Sequence, residues 1–509
     1  MMIKNILETI NAQAAIHPDS PAYDYLGRHN SYRDLKEYSD SLAAYIDCQP
    51  IKTNAPIMIF GGQEFSMIAS FLAAAKSGHA YIPVDVNSPS ERLTAILTIA
   101  DPALVIACDA LPIKISDRPV IQADQLANIF LQQTAYKMTH AVTGDDTFYI
   151  IFTSGTTGQP KGVQISSSNI LSFANWQLGS DFNLPEHAST LAQAPFSFDL
   201  SVMDWIPALL AGGQLRALPK EVADNFKKLF EILPQYDLQV FVSTPSFAEV
   251  CLINPDFDQV HLPQLSHFLF CGEELTKKTA DKLQGRFPGA KIFNTYGPTE
   301  ATVAVSGVQI TQQLVNQFDR LPVGYVKSDT QVTIFDEQGK PVPRGQSGEI
   351  IIYGPSVSKG YLNNPQKTAA AFFHYQGQRA YRTGDLGSLD ARGLLHYEGR
   401  KDFQIKLHGY RIELEEVNHG LSQSDLVKQA VAIPRYDSDH KVAQLLAWVV
   451  PKDNQFAKDA DLTKALKEDL KERMMSYMIP SRFVYKDSLP ISANGKIDIK
   501  KAIAEVNNV

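Results

Sequence analysis

Cysteine is scarce in this 509-residue chain: Cys48, Cys108, Cys251 and Cys271 are all it has. Four thiols in so long a chain build no disulfide framework, and their separations fit no zinc pattern. A reducing cytoplasm is the expected compartment. Long apolar runs are also missing. Stretches such as Ile68 to Ala75 fall far short of the ~20 residues needed to cross a bilayer, so no membrane insertion is expected. The opening segment, MMIKNILETINAQA, has a single early lysine and no apolar h-region, and so does not read as a secretory signal. There is no basic excess. A net charge of −8 argues against a general nucleic-acid binder. No fixed-period repeat and no low-complexity segment occur.

What is present is a globular composition, 44% hydrophobic and 20% charged. The length suggests about three units of ~150 residues. Apolar positions Ile3, Ile6, Leu7 and Ile10 predict an amphipathic helix over 3–16, and SYRDLKEYSDSLAAY predicts a second with Ser31 as N-cap. PIMIF (56–60), MIASFLAAAKSG closed by Gly78, and AYIPVD (80–85) form a strand–helix–strand unit, which implies a parallel sheet covered by helices. Two more such alternations follow, ERLTAILTIA with LVIAC and FKKLFEILPQY with LQVFVSTP. After about residue 300, short apolar strands such as VTIFD and GEIIIYG are joined by Gly/Pro turns, the pattern of a mostly antiparallel region. Beyond about 402 the texture is mixed again. The fold class predicted is a large α/β N-terminal domain with parallel βα subdomains and an antiparallel β region, followed by a small α+β C-terminal domain.

IFTSGTTGQPKG, from Ile151 to Gly162, combines glycines, hydroxyls and a lysine, the groups that approach and hold phosphate oxygens. It is no Walker loop, because Pro160 precedes Lys161 and Gly162 follows it. Five other stretches carry candidate chemistry. NTYGPTEATVAV (294–305) sets Glu300 among hydroxyls, a reasonable Mg2+ position beside phosphates. YRTGDLG (381–387) presents Asp385 in a glycine-flanked turn, suited to a ribose diol or to a simple Asx-turn. APFSFDLSVMDW (194–205) holds Asp199, either a helix cap or a buried counter-ion for an ammonium. YEGRKDFQIKLHGYRIELEEVN (397–418) alternates charged and apolar residues and marks a domain boundary, with Gly399 and Gly409 as pivots. LPISANGKID (489–498) puts Lys496 on a turn near the C-terminus.

In their order, FTSGTTGQPKG, NTYGPTEA, SGEIIIYG with KGYL, YRTGDLG, GRKDFQIKLHGYRIE and NGKID resemble the motif series of the adenylate-forming enzymes. LAAAKSGHAYIPVD adds a further family stretch, so the resemblance runs from about residue 70 to residue 500. It implies two half-reactions: a carboxylate attacks the α-phosphate of ATP, and a phosphopantetheine thiol then takes the acyl group. Within the family the chain looks like an amino-acid adenylation unit. The implied substrate is D-alanine and the implied partner a phosphopantetheinylated D-alanyl carrier protein, for D-alanylation of teichoic acids.

By the same resemblance, Lys496 would be the catalytic cation at the reacting oxygens, touching both nucleotide and substrate. Thr153, Ser154, Thr156, Thr157 and Lys161 would hold the β/γ-phosphates. Asn294, Thr295, Tyr296, Gly297, Pro298 and Thr299 would line the adenine and α-phosphate, with Asp385 on the ribose and Tyr397, Glu398, Gly399 and Arg400 completing the nucleotide site. Glu300 would bind Mg2+. Asp199 would pair with the substrate ammonium, and Cys271 and Val303 would bound a small side-chain pocket. Asp402 matches a hinge between an N-terminal domain, 1–400, and a mobile C-terminal domain, 401–509. The rivals are another amino-acid adenylating enzyme, an acyl-CoA ligase, or a non-catalytic nucleotide-binding relative. Intact Lys161, Glu300, Asp385 and Lys496 argue against the last.

Overall fold

The predicted strand–helix–strand unit opens a six-stranded sheet. Strand Ile57–Gly61 pairs in parallel with Tyr81–Asp85 through the helix Phe65–Lys76, and Gly78 follows that helix at φ +84°, a conformation that favours glycine. This computed structural model describes residues 2–154, 159–438, 441–456, 458–491 and 497–507. The sheet continues from Tyr81–Asp85 to Thr147–Thr153 and ends on Lys161–Ser166, which runs antiparallel to it. The polar loop singled out in the sequence therefore joins the last two strands of a buried sheet.

A second sheet of nine strands has a parallel centre, Lys291–Tyr296, His267–Phe270, Val240–Ser243, Ser189–Ala192, Gln214–Ala217 and Pro21–Tyr25, with antiparallel strands at both ends. Helices cover these sheets, and most of their apolar faces merge into one core. The first helix starts at Ile6 rather than Ile3 because the Asn5 side chain accepts from Glu8 N–H at 3.2 Å and caps it there. The second, Tyr32–Asp47, begins on a reciprocal cap: Ser31 Oγ accepts from Asp34 N–H and the Asp34 carboxylate accepts from Ser31 N–H.

From Gln331 the chain forms an antiparallel sheet of five strands, ending with Gln378–Leu389 and Leu395–Arg400. A hairpin follows, Gln404–Leu407 with Tyr410–Glu413, turning at His408 and Gly409, both at positive φ. Beyond it Val427–Tyr436, Val442–Pro451 and Arg482–Tyr485 make a three-stranded sheet packed by the helices Leu414–Ser422, Asp459–Lys471 and Ile499–Asn507. Two apolar clusters draw on residues from 403 onward alone, so this small body has its own core. Among the described residues no helix is long and apolar enough to cross a membrane.

Candidate active site

The carboxyl ends of the parallel strands, where open α/β sheets bind ligands, face a cavity of ≈ 410 Å³. Both bodies line it. The large one contributes Thr153, Ser154, Asp199, Cys271, Gly297, Thr299, Val303 and Asp385; the small one contributes Gln404, Lys406, Gly409, Tyr410 and Arg411.

Thr153 and Ser154, which begin the glycine- and hydroxyl-rich stretch, line the cavity. Thr153 pairs across the sheet with Lys161, and Thr153 Oγ1 is buried with no partner among the described residues, a group shaped for a ligand oxygen. Lys161 is buried against the Tyr361 ring, 5.2 Å from its centroid, and desolvation with the nearby Arg411 charge lowers its pKa to about 8. Thr156 and Thr157 lie outside the described residues.

Glu300 is fully buried in the short turn Thr299–Ala301 that ends the strand Lys291–Tyr296. Burial alone would raise its pKa, but Arg411 and Lys161 outweigh it and hold the group at about 2. Tyr361 OH donates to Glu300 Oε1 at 2.9 Å. Among the described residues no three acidic, His or Cys side chains gather as a metal centre. A single ionised carboxylate that already faces a cation nevertheless suits Mg2+, which keeps waters and substrate phosphates as its other ligands. The donor set fits.

Asp385 and Arg400 line the cavity, whereas Asn294, Thr295, Tyr296 and Tyr397 line a smaller recess that shares Gly297 and Lys406 with it. Asp385 accepts from Tyr296 OH and from Arg400 Nη1, each at 2.6 Å. The same guanidinium donates to both oxygens of Asp402, at 2.6 and 2.7 Å, so it ties the expected ribose ligand to the expected hinge. Tyr397 packs 6.0 Å from Tyr296, under Arg320. A Cβ on Gly297 would lie 2.6 Å from Ala304 Cα, so only glycine fits this approach. Asn294 and Thr295 are buried, and their side chains hold the carbonyls of Pro322 and Phe270. Glu398 falls outside the cavity lining; it is exposed and accepts from Ser347 and Ser388.

Asp199 stands at the N-cap position of the helix Leu200–Leu210 but makes no side-chain cap bond. The residue lines the cavity, and the helix-cap reading is not met. Desolvation raises its pKa to about 6 against the opposing effect of the Thr299 hydroxyl. Cys271 is buried beside it, and its Sγ approaches the Val303 carbonyl at 3.7 Å. Thr302 and Val303 both sit at positive φ, 61° and 66°. For β-branched residues such a conformation costs of order 1–3 kcal/mol each and persists only where the surroundings dictate it. This strained turn, which sets the Val303 carbonyl over the thiol, has no signal in the sequence.

The small body covers the remaining side. Phe198 meets Tyr410 edge-on at 4.8 Å, Tyr410 stacks on Tyr477 at 3.9 Å, and Arg92 and Glu249 reach Glu416 and Lys441 across the boundary. Gly409 touches the large body so closely that a Cβ there would sit 2.3 Å from Thr244 Cγ2. Lys496 lies outside the described residues. Its neighbour Ile497 packs into the small body's own cluster with Val431 and Trp448. Tyr361 and Tyr477 complete the site without having been singled out in the sequence, where Arg411 stood only among the alternating charges of the 397–418 stretch.

A profile for AMP-binding enzymes matches residues 10–362, and one for the AMP-binding enzyme C-terminal domain matches 416–496. A protein of Lactiplantibacillus plantarum named D-alanine–D-alanyl carrier protein ligase is 57% identical over 506 residues, 99% of this chain and 100% of the relative. One of the same name from Streptococcus agalactiae is 54% identical over 510 residues, with the same coverage. Among solved structures, holo-PA1221, a protein with adenylation and PCP domains, aligns at TM-score 0.82 with 25% identity, covering 99% of this chain and 84% of its own. The Vibrio cholerae adenylation domain AlmE, bound to glycyl-adenosine-5'-phosphate, shares the fold at TM-score 0.82 and 24% identity, covering 99% and 98%.

Proposed function

Because the chain belongs to the AMP-binding, adenylate-forming enzymes, we infer that it is an acid–thiol ligase for D-alanine. It activates D-alanine with ATP as D-alanyl-AMP and passes the acyl group to the phosphopantetheine thiol of a D-alanyl carrier protein, the supply step for D-alanylated teichoic acids. The observation that supports the reading is one cavity lined by Asp199, Cys271 and Val303 from the large body and by Gly409 of the hairpin from the small one; the hairpin at Gly409 would face the thiol. Since its substrate is ATP, a cytoplasmic location belongs to the same proposal.

The first step needs no general base, because the amino-acid carboxylate is ionised at pH 7 and attacks phosphorus directly. An oxygen–phosphorus bond forms as the bond to pyrophosphate breaks, and catalysis is alignment and charge neutralisation. Asp199 would pair with the ammonium, and Cys271 and Val303 would leave room for a methyl group. Asp385, Tyr296 and Arg400 would hold the ribose end; Asn294 to Thr299 with Tyr397 and Gly399 would frame the adenine and α-phosphate. Thr153, Ser154, Thr156, Thr157 and Lys161 would hold the β/γ-phosphates, and Lys496 the reacting oxygens. Glu300 would hold Mg2+, which supplies charge neutralisation at the phosphates. In the second step the thiol sulfur bonds to the acyl carbon, the bond to the phosphate oxygen breaks, AMP leaves, and the thiol proton passes to solvent. We place the domain boundary after residue 400, with Asp402 as the hinge.

Pyrophosphate exchange measured across D-alanine, L-alanine, glycine and fatty acids tests the reading. D-alanine is expected to exceed L-alanine by at least roughly tenfold, the scale of small steric discrimination, and fatty acids to give no exchange. Equal rates with the two alanines would remove the D-alanine assignment and keep the family. Gly409→Leu probes the second step. With φ +82° and Thr244 in the way, a side chain there is expected to lower thiol transfer relative to exchange by roughly tenfold, a strain of 1–3 kcal/mol. An unchanged ratio would place the thiol elsewhere.

A further inference from the structure

Arg411 belongs to the small body by sequence, on the strand Tyr410–Glu413, yet its strongest contacts lie in the large one. Its Nη1 donates to both carboxylate oxygens of Glu300, at 3.2 and 3.1 Å. Its carbonyl accepts from Ser154 Oγ at 3.0 Å. Within its own hairpin it reaches only the edge of hydrogen-bond range, 3.5 Å from Nη2 to Glu413 Oε1, and its buried Nε has no partner among the described residues. The guanidinium is thus desolvated for a partner on the other body. A buried pair of this kind is expensive to break, because either charge left alone is stranded.

The partner it takes is the carboxylate that the proposed function assigns to Mg2+. Arg411 takes both oxygens of Glu300, so Mg2+ on the same carboxylate would meet the guanidinium in a buried site, where repulsion between cations is poorly screened. The hydroxyl it takes, Ser154, belongs to the loop assigned to the leaving phosphates. The contacts that dock the small body here are therefore built from the groups that Mg2+ and pyrophosphate would use.

We propose that Arg411 is a positioning residue that replaces Mg2+ on Glu300 once pyrophosphate has left, and thereby holds the small domain in the thiol-facing orientation. The proposal rests on the ATP-dependent reading above. It makes magnesium pyrophosphate and the thiol-facing orientation mutually exclusive, so thiol transfer follows pyrophosphate release, and pyrophosphate opposes transfer by reversing the domain rather than by competing for the thiol.

Domain orientation can be read directly by energy transfer between fluorophores at the exposed positions 186 and 472, introduced as Glu186→Cys and Glu472→Cys with Cys48→Ser. Titrating the full-length enzyme with inorganic pyrophosphate and Mg2+ is expected to change transfer efficiency saturably, and pyrophosphate alone to change it less. In Arg411→Gln the starting efficiency is already displaced and the midpoint falls by at least roughly tenfold, the consequence of deleting one side of a buried charge pair. Arg411→Lys, which keeps the charge and loses the fork, moves the midpoint the same way by less, and serves if the Gln variant does not fold. Rates of transfer relative to exchange fall in the same order. Efficiency that ignores magnesium pyrophosphate, or an Arg411→Gln midpoint within about twofold of the parent, overturns the inference. Absence of pyrophosphate exchange in the parent enzyme would instead overturn the reading of function.

Discussion

Lys496→Ala is expected to lower D-alanine-dependent pyrophosphate exchange by ~10²–10³, the usual loss for one preorganised cation at a developing charge, while transfer from preformed D-alanyl-AMP to carrier thiol stays within about threefold. The asymmetry follows from which groups share the cavity. With the small body docked as observed, Gln404, Lys406, Gly409 and Arg411 fill the side facing the large body. In the proposed mechanism Lys496 serves the first step in a second orientation of the small body, reached by rotation about Asp402. Arg400 is well placed to govern that rotation, since it bonds Asp385 and Asp402 at once. The two rates are measured separately, by exchange of labelled pyrophosphate and by single-turnover acylation of the carrier. Equal slowing of both would end the division of labour between Lys496 and the hairpin.

How much of this site could be read from the chain depended on the range of the interactions. The strand–helix–strand unit around Phe65–Lys76 was legible because its signals are local: short apolar runs, a helix of matching length and Gly78 at the turn. Thr153, Ser154 and Asp385 could be picked out as candidates because they sit in short motifs, and all three line the cavity. Strand order was not. Pro21–Tyr25 pairs with Gln214–Ala217, nearly two hundred residues on, and nothing local announces it. Asp199 stayed ambiguous because a cap and a counter-ion occupy the same position before a helix, and only the absent cap bond separates them. Arg411 on Glu300 was invisible for a further reason: that pair depends on how two bodies are docked. The positive φ of Val303 runs against residue preference altogether, since tertiary packing overrides the local rule.

Asp199→Asn is expected to cost ~10²–10³ in kcat/KM for D-alanine, again the scale of one preorganised charge in a dry site. The parent carboxyl has its pKa raised to about 6, chiefly by desolvation. Below that pH the free enzyme carries a neutral acid that cannot pair with the substrate ammonium. The kcat/KM profile should therefore fall on the acid side with an apparent pKa near 6. Bound D-alanine stabilises the carboxylate, so the corresponding limb in kcat lies at lower pH. In Asp199→Asn the limb in kcat/KM disappears together with the activity. Stability moves the other way. The folded-state pKa lies above that of an exposed aspartate, so the ionised group costs folding free energy above about pH 6 and none below about pH 4. An uncharged Asn removes that cost, and Asp199 contributes no cap bond to be lost. At pH 7.5 the variant should melt no lower than the parent, and its advantage should shrink toward pH 4. A variant that is inactive and also melts lower would make Asp199 a structural residue; one that keeps its activity and its acid limb would place the ammonium elsewhere.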